Sequence, residues 1–294
     1  MILLWGTPAD RPMQQVRLAL ERRRVPFHFL DDAASEAALI VDAHHAGGSL
    51  LASNTRIDLS EITGAYLRPY DQGHSVVARA MHAWAEVASA LVINRPAASS
   101  ANNSKPYQSM LIARAGFSVP ETLITTDENA VREFKARHRH VIYKSVSGVR
   151  SIVTRLVDES VRPLSDVRNC PTQFQEYVPG DEYRVHVIGS DVFACRVESD
   201  ADDYRFARDH PPRLSPAALT TELATQVHDM VHGMGLIVAG ADLRRHPDGR
   251  WFCFEVNPSP AFTYYDDVSG NRMADAIAAL LVADSSPGAA ATNI

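Results

Sequence analysis

The hydrophobic pattern alternates between short apolar runs and amphipathic stretches for most of the chain. Met1 to Gly6 is an apolar run ending in Gly-Thr-Pro, as a buried strand followed by a turn would be. Val16, Leu18 and Leu20 fall within Met13 to Arg24, which predicts a helix that Pro26 breaks. PFHFLDD, AALIVD and ITGAYLRP read as strands, Ala78 to Ala90 as an Ala-rich helix, and LVINRP follows it. Strands alternating with helices predict an α/β domain over residues 1–95.

The polar, Pro-bounded segment RPAASSANNSKP then reads as a linker or functional loop. A helix is predicted from Tyr107 to Ala115, stopped by Gly116, followed by the extended VPETLITTD. Asp127 can cap the next helix, Glu128 to Ala136. HVIYK, SIVTRLV and TQFQEYV read as strands, with the turn SVSGVRS between the first two. DEYRVHVIG and DVFACRVES predict a hairpin around Gly189-Ser190. DADDYRFARDHPPRLSP is long and irregular, and Pro216 to Met234 reads as a helix closed by Gly235. LIVAGADLRRH and RWFCFEVNP are predicted strands joined by a turn at His246–Gly249. A last helix, Arg272 to Val282, precedes a tail expected to fray.

Composition adds exclusions. The chain is 46% hydrophobic and 22% charged, with a net charge of −6, which fits a soluble globular protein and offers no basic face for nucleic acid. The three cysteines, Cys170, Cys195 and Cys253, form no CxxC pair, so a reducing cytoplasm is expected. The N-terminal run reads as a strand rather than a signal peptide. No apolar run reaches the ~18 residues of a membrane span, so no membrane role is expected.

Three constellations carry candidate chemistry. Residues two apart in a strand share a face, so Glu255 and Asn257 project together, and Asp242 on a neighbouring strand can face them. Two carboxylates and an amide oxygen are hard ligands suited to magnesium; the alternative is a strand end with solvated acids. Lys105 lies in the polar loop and Lys144 ends a strand before a glycine turn, where it can neutralise phosphate; the alternative is two surface lysines. TQFQEYV can offer backbone groups to a purine ring, with Glu182 a few residues on for ribose hydroxyls, or be a plain strand and turn. His228 and His232 have zinc-like spacing but no third ligand. Arg68 either faces a substrate cleft or pairs with Asp71.

The order Lys105, Lys144 with its glycine turn, Gln175-Glu176-Tyr177-Val178, Asp242 and Glu255-Val256-Asn257-Pro258 resembles the ATP-grasp superfamily, most closely the RimK-like carboxylate–amine ligases. YLRP and VESDADDYR add a weaker resemblance to graspetide (microviridin-type) peptide ligases. The resemblance implies an α/β (α+β) ATP-grasp fold: a pre-ATP-grasp domain at 1–95 and two subdomains, 96–178 and 179–294, clasping ATP. It implies that Lys105 and Lys144 touch the phosphates under a mobile loop, with Ser147 and Gly148 nearest. Gln175 to Val178 would line the adenine, mainly through backbone, and Glu182 would hold the ribose. Asp242, Glu255 and Asn257 would bind magnesium, as two ions bridged by Glu255, with manganese as an alternative. Arg184 and Arg205 would stabilise an acyl phosphate and the oxyanion that follows it. SVSGVRS has one glycine where many relatives have two or more, and Ala261 stands where they often have Gly. The implied activity joins a carboxylate to an amine or hydroxyl of a small molecule or peptide. The alternatives are a graspetide-type peptide cyclase and a non-catalytic ATP-binding regulator. A homodimer is a family-level expectation.

Overall fold

A computed structural model describes residues 1–32, 37–42, 47–52, 55–69, 76–146, 153–156, 164–199, 211–268, 270 and 272–283. The elements at the N-terminal end are β1 (Ile2–Gly6), α1 (Arg11–Arg22), β2 (Phe27–Asp31), β3 (Ala37–Asp42), β4 (Gly47–Ala52), β5 (Thr55–Asp58), β6 (Gly64–Arg68), α2 (Val76–Val87) and β7 (Leu91–Ile93). There follow α3 (Pro96–Ser99), α4 (Lys105–Arg114), β8 (Thr122–Thr125), α5 (Glu128–Arg137), β9 (Val141–Ser145), β10 (Thr154–Arg155) and β11 (Thr172–Glu176). The rest comprises β12 (Asp181–Ile188), β13 (Asp191–Glu198), β14 (Arg213–Ala217), α6 (Thr221–Gly233), β15 (Val238–Arg245), β16 (Trp251–Asn257), α7 (Thr263–Asp266) and α8 (Met273–Ala283).

The first sheet is parallel, in the order β2-β1-β6-β7. Its strands alternate faces, as a doubly covered parallel sheet requires. Leu3, Trp5, Ala65 and Leu67 pack towards Met81 and Trp84 of α2. Ile2, Leu4, Tyr66 and Ile93 pack with α1, α8 and the far side of the β12–β14 strands through Phe193 and Cys195. One core therefore joins the N-terminal sheet to the C-terminal third of the chain. Arg68 strengthens that junction: Nε is 2.7 Å from Asp10 Oδ2, and Nη1 donates to the carbonyl of Pro260 at 3.1 Å. Its acidic partner among the described residues is Asp10; the alternative partner Asp71 lies outside them.

Two further sheets carry candidate site residues. The smaller has the order β10-β9-β11-β8, the larger β14-β13-β12-β15-β16. The strands β4 and β5, which extend β3 into a sheet of order β3-β4-β5, carry no periodicity strong enough to read in GGSLLA and TRID. The expected helix from Pro216 is corrected: Arg213–Ala217 is strand β14, and the helix begins at Thr221, capped by the Thr220 hydroxyl. Proline is tolerated there because β14 is an edge strand, where a missing N–H costs no ladder bond. Lys105 likewise starts α4 rather than preceding it, since Pro106 fits a first helical turn.

Candidate active site

The site is built on the last two strands of the large sheet. Cys253 and Val256 both belong to the core under α6, although an odd spacing of three should put them on opposite faces. A bulge resolves this: Leu243 pairs with Cys253 and Asp242 with Glu255, leaving Phe254 as the extra residue. Without it, Glu255 and Asn257 would turn to the other face of the sheet. With it, Asp242 and Glu255 are direct cross-strand neighbours, and Asn257 pairs with Gly240 two residues along β15.

Both acids meet cations. Lys105 Nζ lies 2.5 Å from Glu255 Oε1 and 3.0 Å from Asn102 Oδ1. Arg184, the cross-strand neighbour of Asp242, places Nη1 2.5 Å from Asp242 Oδ1. A side chain at position 240 would collide with this guanidinium, so Gly240 gives Arg184 its room. The guanidinium stacks 5.7 Å from the Tyr265 ring, and its Nε approaches His186 Nε2 at 3.4 Å. Burial, with the Arg184 charge beside it, holds His186 neutral and well below the usual imidazole range. Asn257 Oδ1 accepts from the Ser259 amide at 2.9 Å, an Asx turn that fixes the amide and leaves the oxygen a second lone pair.

The other half of the site comes from the small sheet. Lys144 is half-buried in β9, opposite Gln173 of β11. Ser147, Gly148 and Arg205 lie outside the described residues. Gln175 is buried and donates to the Thr122 hydroxyl at 3.0 Å. The backbone N–H of Glu176 donates to the Glu121 carbonyl, and that of Tyr177 to the His140 carbonyl. Those two donors are engaged by the fold itself. Val178 offers its carbonyl to Arg244 Nη1 at 2.8 Å, and Glu182 Oε2 is 3.0 Å from Arg244 Nη2. Arg244 also lies over the rings of Phe254 and Tyr177, at 5.0 and 5.9 Å. A cleft of about 300 Å³ follows Glu176 to Pro179 and the turn of β15 and β16; Lys105, Asp242 and Glu255 do not line it.

His228 and His232 stack at 4.2 Å, bonded to Asp229 and to the Gly189 carbonyl. Among the described residues, no group of three or more His, Cys, Asp and Glu side chains could hold a metal. The donor set at Asp242, Glu255 and Asn257 instead contains two acids and one amide. Three protein oxygens suit magnesium that completes its shell with water and phosphate. Four residues of this region carried no sequence signal as site residues: Asn94, Gln108, Gly240 and Arg244. The odd spacing of Cys253 and Val256 was the one readable trace of the bulge.

None of the curated proteins matches the sequence. Among solved structures, the ATP-grasp ligase PsnB, complexed with a phosphomimetic variant of a minimal precursor, Mg and ADP, is 25% identical. It aligns over 97% of this chain and 98% of its own, with a TM-score of 0.81. The macrocyclase MdnC from Microcystis aeruginosa MRC, bound with precursor peptide MdnA, shares the fold at 18% identity and TM-score 0.80, over 96% of this chain and 99% of its own. The VanG D-Ala:D-Ser ligase of Enterococcus faecalis shares it at 15% identity and TM-score 0.66, over 97% and 99%. The family model of the RimK-like ATP-grasp domain matches residues 102–281, from beside Lys105 through both acid-bearing strands to the last helix. The protein belongs to the RimK-like ATP-grasp family and is an ATP-dependent ligase.

Proposed function

We propose that this ligase acts on a peptide, activating a side-chain carboxylate as an acyl phosphate and joining it to an amine or hydroxyl of the same peptide. The observation that carries the peptide reading is the end-to-end match to PsnB, N-terminal sheet included, in a structure holding a precursor. A small-molecule carboxylate–amine ligase is the second reading, favoured by the VanG fold match.

In this reading the large sheet is the metal platform. Asp242, Glu255 and Asn257 would hold magnesium, which when bound would supply positive charge beside the phosphoryl oxygens. Lys105 and Lys144 hold the phosphates, the first from helix α4 and the second from the small sheet. Glu176 to Val178 border the base, and Glu182 reaches the ribose once Arg244 releases or shares it. Arg184 donates to the acyl oxygen as the nucleophile adds; its fixed bond to Asp242 supports this reading, because a preorganised donor needs little reorganisation. Arg205, Ser147 and Gly148 keep their expected roles as proposals. The boundaries 96–178 and 179–294 describe the two halves that clasp ATP.

A reducing cytoplasm is part of this reading, supported by the unbridged, buried Cys195 and Cys253. The decisive experiment is turnover. The purified protein, ATP and magnesium are incubated with acid-rich peptides and, separately, with pooled free amino acids. ADP formation together with loss of one water per peptide is expected. Ligation of free amino acids alone moves the assignment to the second reading. ATP binding without ADP formation from any carboxylate sinks both.

A further inference from the structure

The strand that carries Glu255 and Asn257 is the edge of its sheet, so only one side of it is held by strand pairing. Its outer side is held near its start by the backbone of Ser118, which bonds Trp251 and Cys253, and beyond that by side chains. Gln108 Nε2 donates to the Val256 carbonyl at 2.7 Å, and the Val256 amide donates to Gln108 Oε1 at 3.1 Å. One carboxamide thus does for Val256 what a neighbouring strand would do. Gln108 is only 2% exposed. It lies three residues after Lys105 on α4, on the same side of the helix. The helix that delivers the lysine is therefore registered directly against the strand that delivers the glutamate.

Asn94 fixes the same strand where it ends. Its Nδ2 donates to the carbonyls of Val238 and Pro258, both at 2.6 Å. Its Oδ1 accepts from the amides of Ile237 and Val238 at 2.9 and 3.1 Å. Both donors and both acceptor positions of the side chain are filled, and the residue is 7% exposed. These bonds join the start of β15 to the exit of β16. Glu255, Val256, Asn257 and Pro258 are consecutive, and the second and fourth are clamped by buried amides. The first and third are the pair read above as metal ligands. A buried amide stripped of its partners cannot be rescued by water, so the clamps resist drift of the strand.

We propose that Gln108 and Asn94 are positioning residues that set the metal geometry of Glu255 and Asn257 without touching metal or nucleotide. The proposal rests on the assignment of those two residues as metal ligands. It differs from a role in core packing alone, because it predicts a selective effect on metal. In the full-length protein, Gln108→Met keeps length and shape but removes both bonds to Val256. Groups that orient metal ligands change metal affinity by about 10-fold or more when removed. The magnesium concentration for half-maximal ATP turnover is expected to rise by about 10-fold. Mn²⁺ bound with ADP, titrated by electron paramagnetic resonance, should weaken in parallel. ADP affinity measured without metal should stay within about twofold, well short of that metal effect. Asn94→Asp, which keeps the acceptor oxygens and loses the donor, should shift metal dependence the same way. Gln108→Glu, which keeps an acceptor and loses the donor, serves if the methionine variant does not fold, and a partial shift is expected. Unchanged metal dependence in a folded variant overturns the proposal. A parallel loss of metal-free ADP binding does so too. Glu255→Gln is the control for the underlying assignment: if its Mn²⁺ binding is normal, the metal reading fails rather than the clamp.

Discussion

The two sheets that carry the candidate site residues differ in depth. In the larger, β12, β13 and β15 each run eight residues and β16 seven. Its face beneath α6 buries Val185, Val187, Ala239, Ala241, Leu243, Cys253 and Val256. In the smaller, β9 and β11 run five residues, β8 four and β10 two. The core that packs on it, among the described residues, is Val131, Phe134, Val141, Leu164, Val167 and Phe174. Stability is not uniform across a fold, and units with fewer buried contacts shift at lower cost. The acids sit on the deep sheet, each a direct partner of the next strand, whereas Lys144 sits on the shallow one. A divalent ion tolerates little error in ligand placement, while a lysine is a flexible point charge. The sheet that must be exact is the better anchored.

The largest expected effect tests the deep sheet. Glu255→Gln keeps shape and removes the charge that a metal would share. Activity, as kcat/KM, should fall by about 10³-fold, on the order of 4 kcal/mol in the barrier. ATP binding should survive, measurable by calorimetry. Retained activity would mean that the platform is not the metal site.

A second test separates the two lysines. Lys105 is bonded to Glu255, and a hydrogen bond between charged groups contributes roughly 1.5–3 kcal/mol. Metal entering without nucleotide has to displace it. Lys105→Met should therefore strengthen nucleotide-free Mn²⁺ binding by about 10-fold, equivalent to 1.4 kcal/mol, while weakening ATP. Lys144→Met should weaken ATP alone. If both variants leave nucleotide-free metal binding unchanged, the ion pair with Glu255 does not compete with metal, and the contrast between the sheets loses its electrostatic half.

The alternation of strands and helices and the shared face of Glu255 and Asn257 in FEVNP were legible because each rests on local period or spacing. The clamps were not. An asparagine ending the apolar run LVIN gives no hint that its partners are Val238 and Pro258, far along the chain. Gln108 in SKPYQSM reads as a helix surface until β16 is known to lie against it. Pro216 misled because a proline before a periodic stretch is an ordinary helix start, and only its pairing with Cys195 at a sheet edge shows otherwise. Glu182 suggested a ribose contact by position. Its bond to Arg244, a cross-strand neighbour, depends on a register that the sequence does not state.

The smallest expected effect concerns the deep sheet as acid is added. His186 on β12 is 1% exposed, with its ring 5.2 Å from that of Tyr265 and its Nε2 facing the Arg184 guanidinium. A proton there would place two cations side by side away from water, so the folded state keeps the imidazole neutral. The unfolded chain has no such constraint and takes up a proton near pH ~6.5. Stability from the neutral ring is full above that value and is lost as the pH falls below it, because only the unfolded state gains the proton. Each such proton steepens the loss by about 1.4 kcal/mol per pH unit. Between pH ~7.5 and ~5.5 the wild-type protein should lose about 1.4 kcal/mol more unfolding free energy than His186→Gln, which keeps an acceptor for Arg184 and cannot titrate. Urea titrations across that range read the difference directly. Parallel curves would mean that His186 takes up a proton in the folded protein, which would require Arg184 to leave it and loosen its hold on Asp242. The deep sheet would then yield to pH at the point where the metal ligands need it rigid.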